Sequence, residues 1–158
     1  MENIFEKQEL LGSIIPGYEY RAEQGQMADF ITESLGEDTH CLVEAGTGTG
    51  KTLAYLIPAI MHALATDTRV VISTETKALQ KQLMDKDLPI AREIIHSHYG
   101  RDFRHALCLG SANYVCRRRF ETVLERGTFS PDEKDYLEKI AIVFQSGEPF
   151  SRFDVEVS

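Results

Sequence analysis

The run Ala45-Gly46-Thr47-Gly48-Thr49-Gly50-Lys51-Thr52 constrains this chain more than any other feature, because glycines at alternate positions run directly into a Lys-Thr pair. Glycine lets the backbone turn through positive φ, so that successive N–H groups point inward as a cradle for phosphate oxygens. A helix starting at the end of such a turn adds a dipole of the right sign. The spacing matches the phosphate-loop pattern except at Ala45, where the pattern has its first glycine and a methyl group fits. In that pattern Lys51 reaches the β- and γ-phosphates and Thr52 ligates Mg²⁺ through its hydroxyl. The nucleotide contacts are therefore assigned to Ala45, Gly46, Thr47, Gly48, Thr49, Gly50, Lys51 and Thr52, with Lys51 and Thr52 closest to the chemistry.

The loop demands a strand before it and a helix after it, and the flanking residues supply both patterns. Cys41-Leu42-Val43 is a short apolar run of the kind found in strands buried on both faces. Residues 51 to about 65 carry Leu53, Leu56, Ile57, Ile60 and Leu64 at helical spacing, with Pro58 expected to bend the helix. A second buried strand is predicted over 69–74, a helix from 77 to about 87 stopped by Pro89, a further helix over 90–98, and a third strand over 103–109. Ahead of the loop, a short helix closes at Pro16-Gly17. A second helix over 22–35 carries Met27, Phe30, Ile31 and Leu35 and is stopped by Gly36. Strands alternating with helices through short connections predict an α/β fold, a partial parallel sheet with helices on both faces. After Gly110 the pattern changes to two charged amphipathic helices, 115–125 and 131–144, and a turn-like tail over 147–158.

With 158 residues, 42% of them hydrophobic, the chain has material for one domain and part of another. The formal net charge of -8 gives no overall attraction to nucleic acid, so any such contact must be local. The amino terminus has no leader pattern and no segment approaches the length of a membrane span, which predicts a soluble cytoplasmic protein. The three cysteines, Cys41, Cys108 and Cys116, are irregularly spaced and do not suggest a disulfide framework. Cys41 and Cys108 fall in predicted strands and are expected in the core.

A phosphate loop does not say what the bound nucleotide drives. The flanks resemble superfamily 2 helicases, and among them the DinG/XPD-like DNA helicases, at several places along most of the chain. Pro16-Gly17-Tyr18-Glu19-Tyr20-Arg21, with Gln24 and Met27, resembles the family's Q motif, which implies that Gln24 reads adenine; a carboxamide donates and accepts together, as the adenine edge requires. Arg21 is expected to brace this region. The run from Glu44 through the loop to Leu56-Ile57-Pro58 is similar to the helicase form of the loop, including its alanine and its proline. Ser73-Thr74-Glu75-Thr76-Lys77 through Leu83, continuing to Lys86-Asp87-Leu88-Pro89, resembles motif Ia, which implies that Thr74 and Thr76 hold single-stranded DNA by its backbone. Helix capping is the equally weighted alternative for either hydroxyl.

Gly110-Ser111-Ala112-Asn113-Tyr114-Val115-Cys116 resembles the segment that carries the first cysteine ligand in iron-sulfur members of the family. The resemblance implies a 4Fe-4S cluster ligated by Cys116, beside a basic patch at Arg117-Arg118-Arg119. No further cysteine follows, so this chain alone cannot assemble such a cluster. It further implies a RecA-like first motor domain over 1–110, the start of a helical iron-sulfur insertion over 111–158, and an ATP- and Mg²⁺-dependent DNA helicase acting in repair. Movement is expected to be 5'-3' along single-stranded DNA, with the protein a monomer. Two related readings are an ATP-regulated nuclease and a non-catalytic nucleotide-binding chain. No Asp-Glu pair at the end of a predicted strand follows motif Ia, so the chain is expected to be an amino-terminal piece that binds nucleotide but neither hydrolyses it at a useful rate nor unwinds a duplex. An incomplete sheet is also expected to leave an exposed edge.

Overall fold

The structure, a computed structural model, describes residues 4–146. The tail over 147–158, read from sequence as turn-like, lies outside the described residues. The chain divides into two compact units between Ala106 and Leu107.

In the first unit the apolar faces of helices meet. After a 3-10 turn, Ile4–Glu6, come α1 (Gln8–Ile14), α2 (Ala22–Gly36), α3 (Lys51–Thr66), α4 (Lys77–Gln82) and α5 (Leu88–Tyr99). Helix α3 is the centre: Ala54, Leu56, Ile57, Ile60 and Met61 are buried against Ala28 of α2 and Ala91, Ile94 and Ile95 of α5. Phe5 and Leu11 close the same core from the amino-terminal side and are fully buried. The helix runs through Pro58 without a break, with the proline itself buried.

Two helix ends differ from the sequence expectation. Gly36 is the last helical residue of α2 and not its stop; Asp38 takes the left-handed conformation at φ +54° while the Thr39 N–H returns to the Ser34 carbonyl at 2.9 Å. Nor does Pro89 end a helix. A π-helical turn, Leu83–Asp87, joins α4 to α5, and Pro89 sits in the first turn of α5. Proline has no N–H to give to the carbonyl four residues back and its ring crowds that carbonyl. A widened turn just upstream relieves both conflicts, so the helical run continues.

The expected parallel sheet is not formed. Among the described residues there is no strand, only an isolated bridge residue at Tyr114, and segments 40–45, 69–74 and 103–109 lie outside any helix or ladder. Leu42 is 96% exposed and Val71 87% exposed, where a strand covered on both faces would bury them. Cys41 and Cys108, expected in the core, are exposed with them. A helix closes its own hydrogen bonds, whereas a strand's N–H and C=O groups close only on neighbouring strands. Apolar runs of this length have the composition of a buried strand without specifying a partner for it.

In the second unit, α6 (Arg117–Arg126) and α7 (Pro131–Ser146) share a small apolar cluster in which Val115, Phe120, Tyr136, Val143 and Phe144 surround Ile140. The Phe120 and Phe144 rings stand 5.2 Å apart, and the Arg117 guanidinium lies 5.8 Å above the Phe144 ring. Ser130 and Glu133 start α7 with a reciprocal capping box: the Ser130 N–H donates to Glu133 Oε2 at 2.8 Å and the Glu133 N–H to Ser130 Oγ at 3.3 Å. These bonds hold the Glu133 carboxyl below its ordinary pKa, the Ser130 N–H contributing most.

Candidate nucleotide-binding site

Residues 45–52 form a turn whose shape follows from its glycines. Gly48 and Gly50 have φ of +82° and +76°, and Gly50 is the left-handed N-cap of α3. At Gly50 two requirements coincide. The left-handed backbone disfavours any L side chain, and a Cβ there would stand 2.2 Å from Gln24 Nε2. By contrast, Gly46 faces open space and has no positive φ.

Side chains bind the loop to itself and to α2. Lys51 Nζ donates to the carbonyls of Ala45 at 2.7 Å and Gly46 at 3.2 Å, folding the ammonium over the turn. Thr49 Oγ1 donates to the Gly46 carbonyl at 3.0 Å. From the start of α2, Arg21 Nη1 donates to the Gly48 carbonyl. Gln24, only 4% exposed, donates from Nε2 to the Gly50 carbonyl at 3.0 Å. Tyr18 completes the set, its hydroxyl lying 2.9 Å from the Phe5 carbonyl and 3.4 Å from Gln24 Oε1. Burial, chiefly, pushes the Tyr18 hydroxyl above its ordinary pKa, with Tyr20 adding to the rise and Arg21 opposing it. The hydroxyl therefore keeps its proton throughout the neutral range.

Thr52 is the second residue of α3 and is half-buried. Its hydroxyl hydrogen-bonds Tyr55, whose own pKa is raised by burial first and by the nearby Asp87 carboxylate, the Thr52 bond opposing. Asp87 is itself buried, in the π turn, where Gln82 Nε2 donates to it at 3.0 Å.

The residues expected to grip a DNA backbone have separate surroundings. Thr76 is the N-cap of α4, and its hydroxyl accepts the Leu79 N–H at 3.2 Å, the capping role. The Thr74 hydroxyl is buried without a hydrogen-bond partner among the described residues, while Gln80 Nε2 reaches the Thr74 carbonyl at 3.4 Å. An orphaned hydroxyl of this kind is uncommon in a folded protein.

In the second unit Cys116 is exposed and is the N-cap of α6. The Arg119 N–H, above all, lowers its thiol pKa; desolvation opposes it, and the Arg118 N–H and the two guanidinium charges add to the lowering. Among the described residues no group of three or more His, Cys, Asp or Glu side chains is disposed to hold a metal ion. A 4Fe-4S cluster takes four thiolates, so the residues present, with Cys116 alone, do not fit one. Phosphate loop and cluster thus differ: residues 45–52 form a glycine turn with the Lys51 ammonium folded over it, whereas Cys116 stands by itself.

Sequence reasoning had no means of finding Tyr18 as a partner of Gln24 or the Gly48 carbonyl as the acceptor for Arg21. Both depend on how α2 packs beneath the loop, and the signal available was the crowding of Tyr18, Arg21 and Gln24 into a short segment before it.

Comparison with known proteins gives the family. The chain belongs to the DEAD/DEAH box helicase family, which it matches over residues 23–108, Gln24 and the whole phosphate loop included. Membership implies ATP and Mg²⁺ as the cofactor pair. Over 96 residues, 61% of its length, the chain is 46% identical to the ATP-dependent helicase DinG of Mycobacterium tuberculosis, covering 14% of that protein. It is 38% identical over 125 residues to the ATP-dependent DNA helicase YoaA of Haemophilus influenzae, 79% of this chain and 18% of that one. It is also 37% identical over 114 residues to the 3'-5' exonuclease DinG of Bacillus subtilis, 72% of this chain and 12% of that one. The chain therefore spans less than a fifth of the length of each of these relatives. Among the described residues no helix is long and apolar enough to cross a membrane.

Proposed function

We propose that this chain is the nucleotide-binding part of the first motor domain of an ATP-dependent DNA helicase. The observation that carries the proposal is the loop itself: left-handed Gly48 and Gly50, the Lys51 ammonium over the turn, and α3 beginning at its end. In this reading the backbone N–H groups of 46–52 receive phosphate oxygens, and Lys51 exchanges the Ala45 and Gly46 carbonyls for charged phosphate acceptors. Thr52 offers its hydroxyl oxygen to Mg²⁺. ATP with its metal supplies the phosphoryl group whose transfer drives the motor.

Gln24 reads adenine. Its carboxamide has two N–H groups and two acceptor positions; one N–H is used on Gly50, which leaves a donor and an acceptor for the adenine edge. Thr76, at the start of α4, and Thr74, once its buried hydroxyl is uncovered, hold the backbone of single-stranded DNA. Cys116 is assigned as one thiolate of an iron-sulfur site in the whole protein. The motor portion is placed at 1–110 and the start of an insertion at 111–158. The protein is assigned to the cytoplasm, acting as a monomer in DNA repair, with movement 5'-3'. This chain by itself binds nucleotide without useful turnover.

The test is DNA-stimulated ATP hydrolysis by the full-length protein. Lys51→Ala lowers turnover by on the order of 10²-fold or more, the scale of losing a principal charge-stabilising contact, and a partial duplex with a 5' tail is unwound in preference to one with a 3' tail. Turnover unchanged in Lys51→Ala would overturn the assignment. The likeness to a relative named as an exonuclease supports a second reading, in which nucleotide binding regulates strand cleavage. Shortening of a labelled single strand by the full-length protein, altered by ATP and insensitive to loss of hydrolysis, would favour it.

A further inference from the structure

Tyr18 is the one side chain in the group around the loop to which neither the motif pattern nor the proposed function gives a task. It stands between two fixed points. On one side is the carbonyl of Phe5, a residue 1% exposed and therefore held by the core. On the other is Gln24 Oε1, the opposite end of the amide whose Nε2 is bonded to the Gly50 carbonyl.

We propose that the Tyr18 hydroxyl is a positioning group for base selection, holding the Gln24 carboxamide in the one orientation that leaves a donor and an acceptor free for adenine. The proposal rests on the reading of Gln24 given above. A carboxamide has two nearly isosteric ends, and what it recognises depends on which end faces which way. With Nε2 on the Gly50 carbonyl, its remaining N–H and oxygen lone pair meet adenine's acceptor N7 and donor N6 amino group. Guanine presents two acceptors, O6 and N7, on the same edge, so one of the two contacts would set acceptor against acceptor.

The Gly50 carbonyl already favours this orientation. Tyr18 adds a second constraint by directing its proton at the oxygen end. That proton is shared between the Phe5 carbonyl at 2.9 Å and Gln24 at 3.4 Å, so the bond to Phe5 is the stronger arm and the hold on Gln24 the lesser one. The expected effect is accordingly modest. The hydroxyl is neutral and a donor throughout the working range, because burial raises its pKa. The same contact ties base selection to the amino-terminal 3-10 turn, Ile4–Glu6.

The experiment is equilibrium binding of fluorescent ATP and GTP analogues to the full-length protein, as wild type, Tyr18→Phe and Gln24→Ala. Tyr18→Phe keeps the ring and its packing and removes the hydroxyl. The expected result is a fall of about twofold in the ratio of ATP to GTP affinity, the lower end for one hydrogen bond, with a larger fall in Gln24→Ala. A purely structural role for Tyr18 would lower the fraction of competent protein equally for both nucleotides and leave their ratio unchanged, so the ratio stays readable even in a variant that folds poorly. Loss of selectivity in Gln24→Ala with wild-type selectivity in Tyr18→Phe would overturn the role of Tyr18 and leave that of Gln24 standing. Full selectivity in Gln24→Ala would remove the adenine reading and the inference built on it together.

Discussion

Two sets of apolar residues in the first unit have opposite fates. Leu56 of α3 and Ile94 and Ile95 of α5 are completely buried, while Leu42 and Val71, in runs of equal or greater β propensity, are almost fully exposed. Hydrophobicity does not separate them. The difference lies in the backbone: a helix arrives with its hydrogen bonds made and needs only a face to pack against, whereas a strand needs another strand before its side chains can be covered. Local sequence therefore suffices to form α2, α3 and α5 and does not suffice to build the sheet.

The largest predicted effect sharpens this contrast. Leu56→Ala or Ile94→Ala should destabilise the chain by about 2–5 kcal/mol in urea unfolding, the range for emptying a well-packed aliphatic site. Leu42→Ala and Val71→Ala should fall within about 0.5 kcal/mol of wild type, as surface substitutions do. Comparable losses at both sets would show that the apolar runs at 40–45 and 69–74 are covered in solution and would break the comparison.

A second prediction concerns the loop that joins the two kinds of segment. Gly50→Ala places a Cβ against Gln24 Nε2 on a backbone at φ +76°. The conformation alone costs about 1–2 kcal/mol for an L residue. Together with the collision, this should weaken nucleotide binding by more than about tenfold, measured by titration with a fluorescent ATP analogue. Gly46→Ala, with open space and no positive φ, should leave the unfolding midpoint unchanged.

These contrasts also show which parts of the molecule were legible in its sequence. The loop was, because alternating glycines before a Lys-Thr pair dictate a local backbone shape. So were α2, α3 and α5, whose apolar residues repeat at helical spacing. The sheet was not, because the runs around Leu42 and Val71 record what a strand is made of and not what it pairs with. Pro89 misled because a π turn, invisible to periodicity, lets the helical run pass it. Gly36 misled because Asp38, two residues further on, takes the left-handed position instead. In the site, the residue types at 45–52 were legible; the support beneath them, Tyr18 through Gln24 to Gly50 and Arg21 to Gly48, is a product of packing.

Smaller effects test the second unit, where the helices again carry the structure. Ser130→Ala removes half of the capping box at α7 and should cost about 1 kcal/mol of helix stability, visible as reduced ellipticity and an earlier thermal transition. The Glu133 pKa is lowered by the same contacts, so its contribution is present above the ordinary carboxylate range and is lost as pH falls through the lowered folded value. The low-pH limb of the transition should therefore flatten only in part in Ser130→Ala, which removes the hydroxyl and keeps the Ser130 N–H. The smallest effect is at Cys116, whose lowered thiol pKa should let it react with iodoacetamide at pH values below the ordinary thiol range of about 8.5. Unfolding in urea should abolish that advantage, since it depends on the N–H groups at the start of α6.

The central claim is that residues 45–52 bind the phosphates of an adenine nucleotide. Its most direct test is titration of this 158-residue chain with a fluorescent ATP analogue in the presence and absence of Mg²⁺, beside Lys51→Ala. The account predicts saturable binding that Mg²⁺ strengthens and Lys51→Ala removes, without loss of folded structure. Binding of equal strength in Lys51→Ala, or no binding by a folded wild-type chain, would contradict it.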